Sequence, residues 1–125
     1  MQKLILLFAS ISALFANGLG AFGAHALKAK LPHNLMITYQ TGVQYQFYHS
    51  LGLLLIGILM FHVKNIWIAL SGASIATGIL LFSGSLYVLS ITGIKAFGII
   101  TPFGGLAFMA GWLLLLVSLI KEKSI

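Results

Sequence analysis

Residues 40–61 read QTGVQYQFYHSLGLLLIGILMF. The stretch opens with glutamines, tyrosines and a histidine, then runs without a break into leucine and isoleucine. At 100° per residue, His49 centres a helix face shared with Gly42, Tyr45, Gln46 and Gly52, while Val43, Phe47 and Leu51 take the opposite face. In hydrocarbon a polar group facing lipid has no partner, so the histidine face must turn toward other helices. The stretch therefore predicts a membrane helix packed among neighbours.

Composition agrees. Of 125 residues, 60% are hydrophobic and 6% charged, with a mean hydropathy of +1.09. Soluble domains carry about a quarter charged residues, and this chain could not cover a water-facing surface. With no cysteine, disulfides, zinc–thiolate sites and cysteine nucleophiles are excluded. The net charge of +6 comes from seven lysines against a single acid, Glu122. The lysines fall between apolar runs and flank membrane segments; they form no nucleic-acid patch.

Four apolar runs approach the roughly 20 residues that cross a hydrocarbon core of about 30 Å. They are residues 4–22, 42–61, 66–89 and 99–120. The runs are too long for barrel strands, and an open sheet edge cannot sit in lipid, so helices are expected. Short connections make neighbours antiparallel. The expectation is an all-α membrane protein: a single domain, residues 1–125, forming a four-transmembrane-helix antiparallel bundle.

Lys3, the first apolar run and Ala24-His25-Ala26 together mimic a secretory signal. The run reaches Phe22, longer than a signal core, and is read as the first span. With an even number of spans, Lys3, Lys64, Lys121 and Lys123 share one side, and Lys28, Lys30 and Lys95 the other. The excess of one lysine places both termini in the cytoplasm of a multi-pass protein of the cell (inner) membrane.

Polar helix ends converge on the side bearing His25. The first span ends with Asn17 and GLGAFGAHALK, the third with SGSLYVLSITG, and the fourth begins with ITPFGG. Thr101 is expected as N-cap, with Pro102 at the first helical position. These ends predict a polar half-bundle lined by His25, Gln46, His49, Ser83, Ser85, Tyr87 and Thr101, closed at the other half by leucine and isoleucine. Small residues recur at steps of three and four. They are Ala9, Ala13, Ala16, Gly20 and Gly23 in the first span, Ser71, Ser74, Gly78 and, a heptad later, Ser85 in the third, and Gly104, Ala107 and Gly111 in the fourth. Such stripes let helix backbones approach in lipid. The first reading of the stripes is packing within one bundle; because a four-helix bundle can bury only some of them, a homo-oligomer is also expected, with the Gly104, Ala107 and Gly111 stripe as its contact.

The segments GAFGAHALK, QYQFYHSLGLL, FSGSLYVLSITG and ITPFGGLAFMAGW resemble those of the small YgdD/YwdK-like inner-membrane family, and the resemblance covers essentially the whole chain. It implies a four-span bacterial inner-membrane protein and carries no catalytic residues.

Function is therefore read from the polar face. In the first reading, Tyr45, Gln46, His49 and Tyr87 form a hydrogen-bonded network that fixes helix register in a structural or partner-binding membrane component. In the second, the same face is a small-solute, lipid or ion site of a binding or transport subunit, because an ionisable residue inside a membrane is a functional candidate by default. No carboxylate lies in any span to serve a proton relay. Enzyme chemistry is not expected: Ser83 or Ser85 with His49 would lack an orienting acid, and a metal at His25 and His49 would lack a third donor. No cofactor is expected, and the lipid bilayer is the expected surrounding.

Overall fold

The computed structural model describes residues 1–123 and 125. All regular structure among them is helical. Helix α1 spans Gln2–Phe22 and continues through a π-helical turn, Gly23–Leu27. Helix α2 spans His33–Leu59. A third rod consists of α3 (Ile66–Gly78), a π turn (Ile79–Ser83) and α4 (Gly84–Thr92). The fourth begins with a 3-10 turn, Lys95–Ile99, and continues as α5 (Thr101–Lys121).

Hydrogen bonds and close contacts give the direction of each pair. Along α1 and α2, Gln2 bonds Gly57, Ser12 bonds Gln46 and Ser50, and Leu19 bonds Tyr39. Along the third and fourth rods, Asn65 meets Ser118, Ser71 meets Gly111, and Ser74 meets Ala107. Between the second and third, Ile56 lies beside Gly72, and Gly42 beside Leu86. Ascending numbers meet descending ones each time, so successive rods are antiparallel.

Three of the four rods are long and apolar enough to cross a membrane: Gln2–Leu27, Ile66–Thr92 and Lys95–Lys121. Helix α2 falls outside that set because glutamines, tyrosines and His49 lower its hydropathy, and its burial pattern shows where some of them go. Its polar residues Gln46, His49 and Ser50 are buried against the other rods, while Ile37, Leu51, Leu55 and Ile58 are exposed. The whole surface follows this rule. Leu4, Leu14, Leu80, Ile99, Met109 and Ile120 are each more than three-fifths exposed, whereas Ser50, Ser71, Ser90 and Ser118 are fully buried. An apolar exterior around hydrogen-bonded serines is the arrangement lipid demands and water forbids.

Two glycine positions shape the packing. Gly93 ends α4 at φ 70°, the left-handed cap in which its amide returns to Leu89 O at 2.7 Å. Gly104 lies so close to the backbone of Phe82 that a Cβ there has no room, and one on Gly78 would come 3.1 Å from Gly104 O. The third and fourth rods thus touch backbone to backbone, the close approach that small residues permit in lipid.

Two expectations are corrected. The Gly104, Ala107 and Gly111 stripe offered for self-association is spent inside the chain: Ser74 and Ser71 donate to the carbonyls of Ala107 and Gly111, and Ile75 covers Gly111. Thr101 does not cap α5. The cap position is Ile100, whose carbonyl receives the amides of Phe103 and Gly104, because the preceding 3-10 turn feeds directly into the helix. The π turn was also unforeseen. It hands the third rod from α5, which Ser71, Ser74 and Gly78 face, to α2, which Ser83, Leu86 and Tyr87 face.

Candidate functional site

The buried polar face of α2 is built on the spacing Gly42, Gln46, His49, Leu53, Ile56, alternating steps of four and three that keep one side of a helix in line. Gln46 is the hub. Its Nε2 donates to Ser12 O at 2.9 Å, and Tyr87 Oη donates to its Oε1 at 2.5 Å, so one carboxamide ties α1, α2 and α4 together. A hydroxyl–hydroxyl bond of 2.7 Å joins Ser50 to Ser12, and Ser50 donates to Gln46 O at 2.6 Å. Below the hub, the chain closes on Leu53, Ile56, Ile68 and Ile75.

His49 sits on the other flank of the same helix. Trp112 Nε1–H donates to His49 Nε2 at 3.1 Å, and His49 Nδ1 lies 2.9 Å from Tyr45 O. An indole nitrogen is a donor only, so Nε2 accepts and Nδ1 carries the proton: the partners select the neutral Nδ1–H tautomer. The ring stacks on Phe108, with centroids 3.5 Å apart and planes 9° from parallel. Both nitrogens and one face are engaged within the chain. Beside this stack a cavity of about 570 Å³, open to the side, is lined by Tyr45, His49, Phe82, Pro102, Phe108 and Trp112.

The seven residues predicted as one polar lining separate into distinct groups. Gln46 and Tyr87 share the hub. Ser83 donates to Gly42 O at 2.7 Å, and Ser85 and Thr101 pair through their hydroxyls at 2.6 Å. His49 belongs to the tryptophan stack. His25 is exposed on the π turn and joins none of these groups. Tyr45, expected on the inward face, is 40% exposed and forms a wall of the lateral cavity. Of the predicted packing glycines, Gly23 lies against the Tyr39 ring, Gly78 against Phe108, Gly111 against Ile75 and Gly20 beside Val43.

Sequence reading overlooked Ser12, Ser50, Trp112 and the pair Asn65–Ser118. Ser12 lies on the small-residue stripe of α1, three residues from Ala9 and four from Ala16, and Ser50 lies four residues beyond Gln46, so spacing alone held the signal for both. Asn65 caps α3, its Oδ1 accepting from Ile68 N at 3.1 Å and from Ser118 Oγ at 2.8 Å, and its Nδ2 donates to Ser118 O at 3.3 Å. The half expected to be closed by leucine and isoleucine thus has a polar clip of its own. Among the described residues, no buried side-chain nitrogen or oxygen lacks a hydrogen-bond partner.

No solved structure matches the chain. Relatives do match along nearly its full length. It is 44% identical to the UPF0382 membrane protein YwdK of Bacillus subtilis, over 96% of this chain and 98% of that protein. It is 42% identical to the UPF0382 membrane protein SH2409 of Staphylococcus haemolyticus, over 96% and 98%. It is 40% identical to the UPF0382 inner membrane protein YgdD of Escherichia coli K12, over 98% and 93%. A family model described as "Protein of unknown function (DUF423)" matches residues 19–105. With the helical fold and these full-length relatives together, the chain belongs to the DUF423 family, that of the UPF0382 membrane proteins.

Proposed function

We propose that the chain is a structural or partner-binding component of the cell (inner) membrane, a four-span antiparallel bundle with both termini in the cytoplasm, whose interior polar groups specify helix register. One observation carries this reading: among the described residues, the buried polar side chains are all satisfied within the chain, including both nitrogens of His49. A transport path or reaction centre would need polar groups left over for a substrate. The fourth span is α2, whose 27 residues reach about 40 Å at 1.5 Å per residue, more than the hydrocarbon core requires. Gln46, His49 and Ser50 in its middle turn inward, so a low mean hydropathy does not bar it from lipid. The names of YgdD and its relatives agree with a place in the membrane. No enzymatic role is proposed, since the single acid, Glu122, lies outside the spans. Self-association would have to use other faces, because the α5 stripe is occupied within one chain.

A second reading is favoured by the lateral cavity of about 570 Å³ beside His49, which has room for a small apolar ligand. Thermal stability of wild type, His49→Gln and His49→Leu, measured between about pH 5 and 8 in one detergent, separates the two. The structural reading expects Gln to fold almost like wild type, with the same pH dependence, and Leu to be destabilised. A pH response present in wild type and lost in Gln would overturn it.

A further inference from the structure

Three cavities on the outer side of the α1–α2 pair share walls and form one continuous groove. The first, about 320 Å³, has Lys28 and His33 at its rim and Gln40 at its inner end. Met36 and Gln40 lead into the second, about 300 Å³, and Gly20, Val43 and Gln44 into the third, about 420 Å³, which ends at Phe47 and Tyr48. From His33 to Tyr48 the groove follows α2 for about 22 Å at 1.5 Å per residue.

The chemistry changes in order along it. Lys28 and His33 stand at the helix ends, where headgroups lie. About two and three turns beyond His33, the exposed carboxamides of Gln40 and Gln44 face outward. Among the described residues, no protein group hydrogen-bonds either of them. Gln44 lies about 22 Å from the Leu59 end of α2 at 1.5 Å per residue, and so below the upper edge of a 30 Å core. There a polar group facing bare hydrocarbon has no partner. Beyond it the walls are mostly apolar, broken by Asn17, whose Nδ2 donates to Ala13 O, and Ala16, Ala21 and Gly20 lower the floor enough to admit a chain.

We infer that this groove is a binding site for one anionic glycerophospholipid, its phosphate at Lys28 and His33, its ester carbonyls accepting from Gln40 and Gln44, and an acyl chain lying over Gly20 and Val43 toward Phe47. The order of cation, amide donor and apolar slot matches the order of groups in such a lipid. It accounts for two carboxamides that the interior network leaves unused. The inference uses the four-span placement of α2, which reporter fusions at Lys30 and after Ile125 together test separately.

The test is native mass spectrometry of the purified chain released from nanodiscs holding equal amounts of dioleoyl phosphatidylglycerol and dioleoyl phosphatidylcholine. Wild type is expected to keep one phosphatidylglycerol, preferred by about fivefold, the bias that one basic residue provides at an anionic membrane surface. Lys28→Gln with His33→Gln should remove the preference, and Ala21→Leu should block retention of either lipid. Both alter exposed positions, so their thermal stability should match wild type; Lys64→Gln, at the far membrane face, should change nothing. Equal retention of the two lipids by wild type, or wild-type retention by both groove variants, would overturn the assignment. So would efficient disulfide cross-linking of Gln44→Cys chains in the membrane, which would show a second copy covering the groove.

Discussion

His49 is a residue whose neighbours decide its chemistry. Trp112 can only donate, so His49 Nε2 must accept, and Tyr45 O takes the proton on Nδ1. The two side chains are therefore coupled. His49→Leu leaves the indole N–H and the Tyr45 carbonyl without their partner, and should cost about 1 to 3 kcal/mol. Trp112→Phe removes the donor and should cost less than His49→Leu, because Trp112 is 43% exposed. In a double-mutant cycle read by unfolding in detergent, the pair should cost about 1 kcal/mol less than the sum of the singles. Strict additivity would show that the bond contributes nothing. At Gln46 the stakes are greater, because one carboxamide serves three helices. Gln46→Leu strands Tyr87 Oη and Ser12 O together and should destabilise the chain by about 2 kcal/mol or more, checked in the same assay.

Among the elements, the contact between the third rod and α5 has the least slack. Gly104→Ala would drive a methyl into the backbone of Phe82, and a backbone cannot swing aside as a long side chain can. The expected outcome is loss of the folded species, or a melting temperature lowered by well over that of any exposed-site change. Gly84→Ala is the control. A Cβ there meets nothing within 4 Å, and alanine in a helix interior is favoured over glycine by about 0.5 to 1 kcal/mol, so that variant should be neutral or slightly more stable. Equal melting temperatures for the two variants would contradict the close crossing. The π turn between α3 and α4 belongs to the same contact, since it lets one rod serve α5 with its first half and α2 with its second.

For the molecule as a whole, the testable property is topology. Both termini are expected in the cytoplasm, with Lys3, Lys64, Lys121 and Lys123 on that side and Lys28, Lys30 and Lys95 on the other. A reporter active only in the periplasm, fused after Ile125, should therefore be silent, and one fused in the loop at Lys30 should be active. Activity of the terminal fusion alone, with the Lys30 fusion silent, would reverse the orientation. Activity of both would mean that α2 does not cross.

The sequence by itself determined the solvent and the elements. Sixty per cent hydrophobic residues with 6% charge leave lipid as the only medium, and in lipid the backbone must satisfy itself, which makes the runs helices. It also determined which side of α2 faces its neighbours: the spacing of Gly42, Gln46 and His49 is local, and the penalty for polar groups in hydrocarbon is the same wherever the helix sits. What only the tertiary structure decided is who meets whom. Thr101 read as a cap and is Ser85's partner; the α5 stripe, open in sequence to an inner or an outer contact, is an inner one; seven polar residues read as one lining and form separate clusters, with His25 outside them. The physical reason is that a helix face has a direction in sequence but no address. The partner each face meets depends on helix rotation and on the register shift at the π turn, both fixed only when all four rods pack at once.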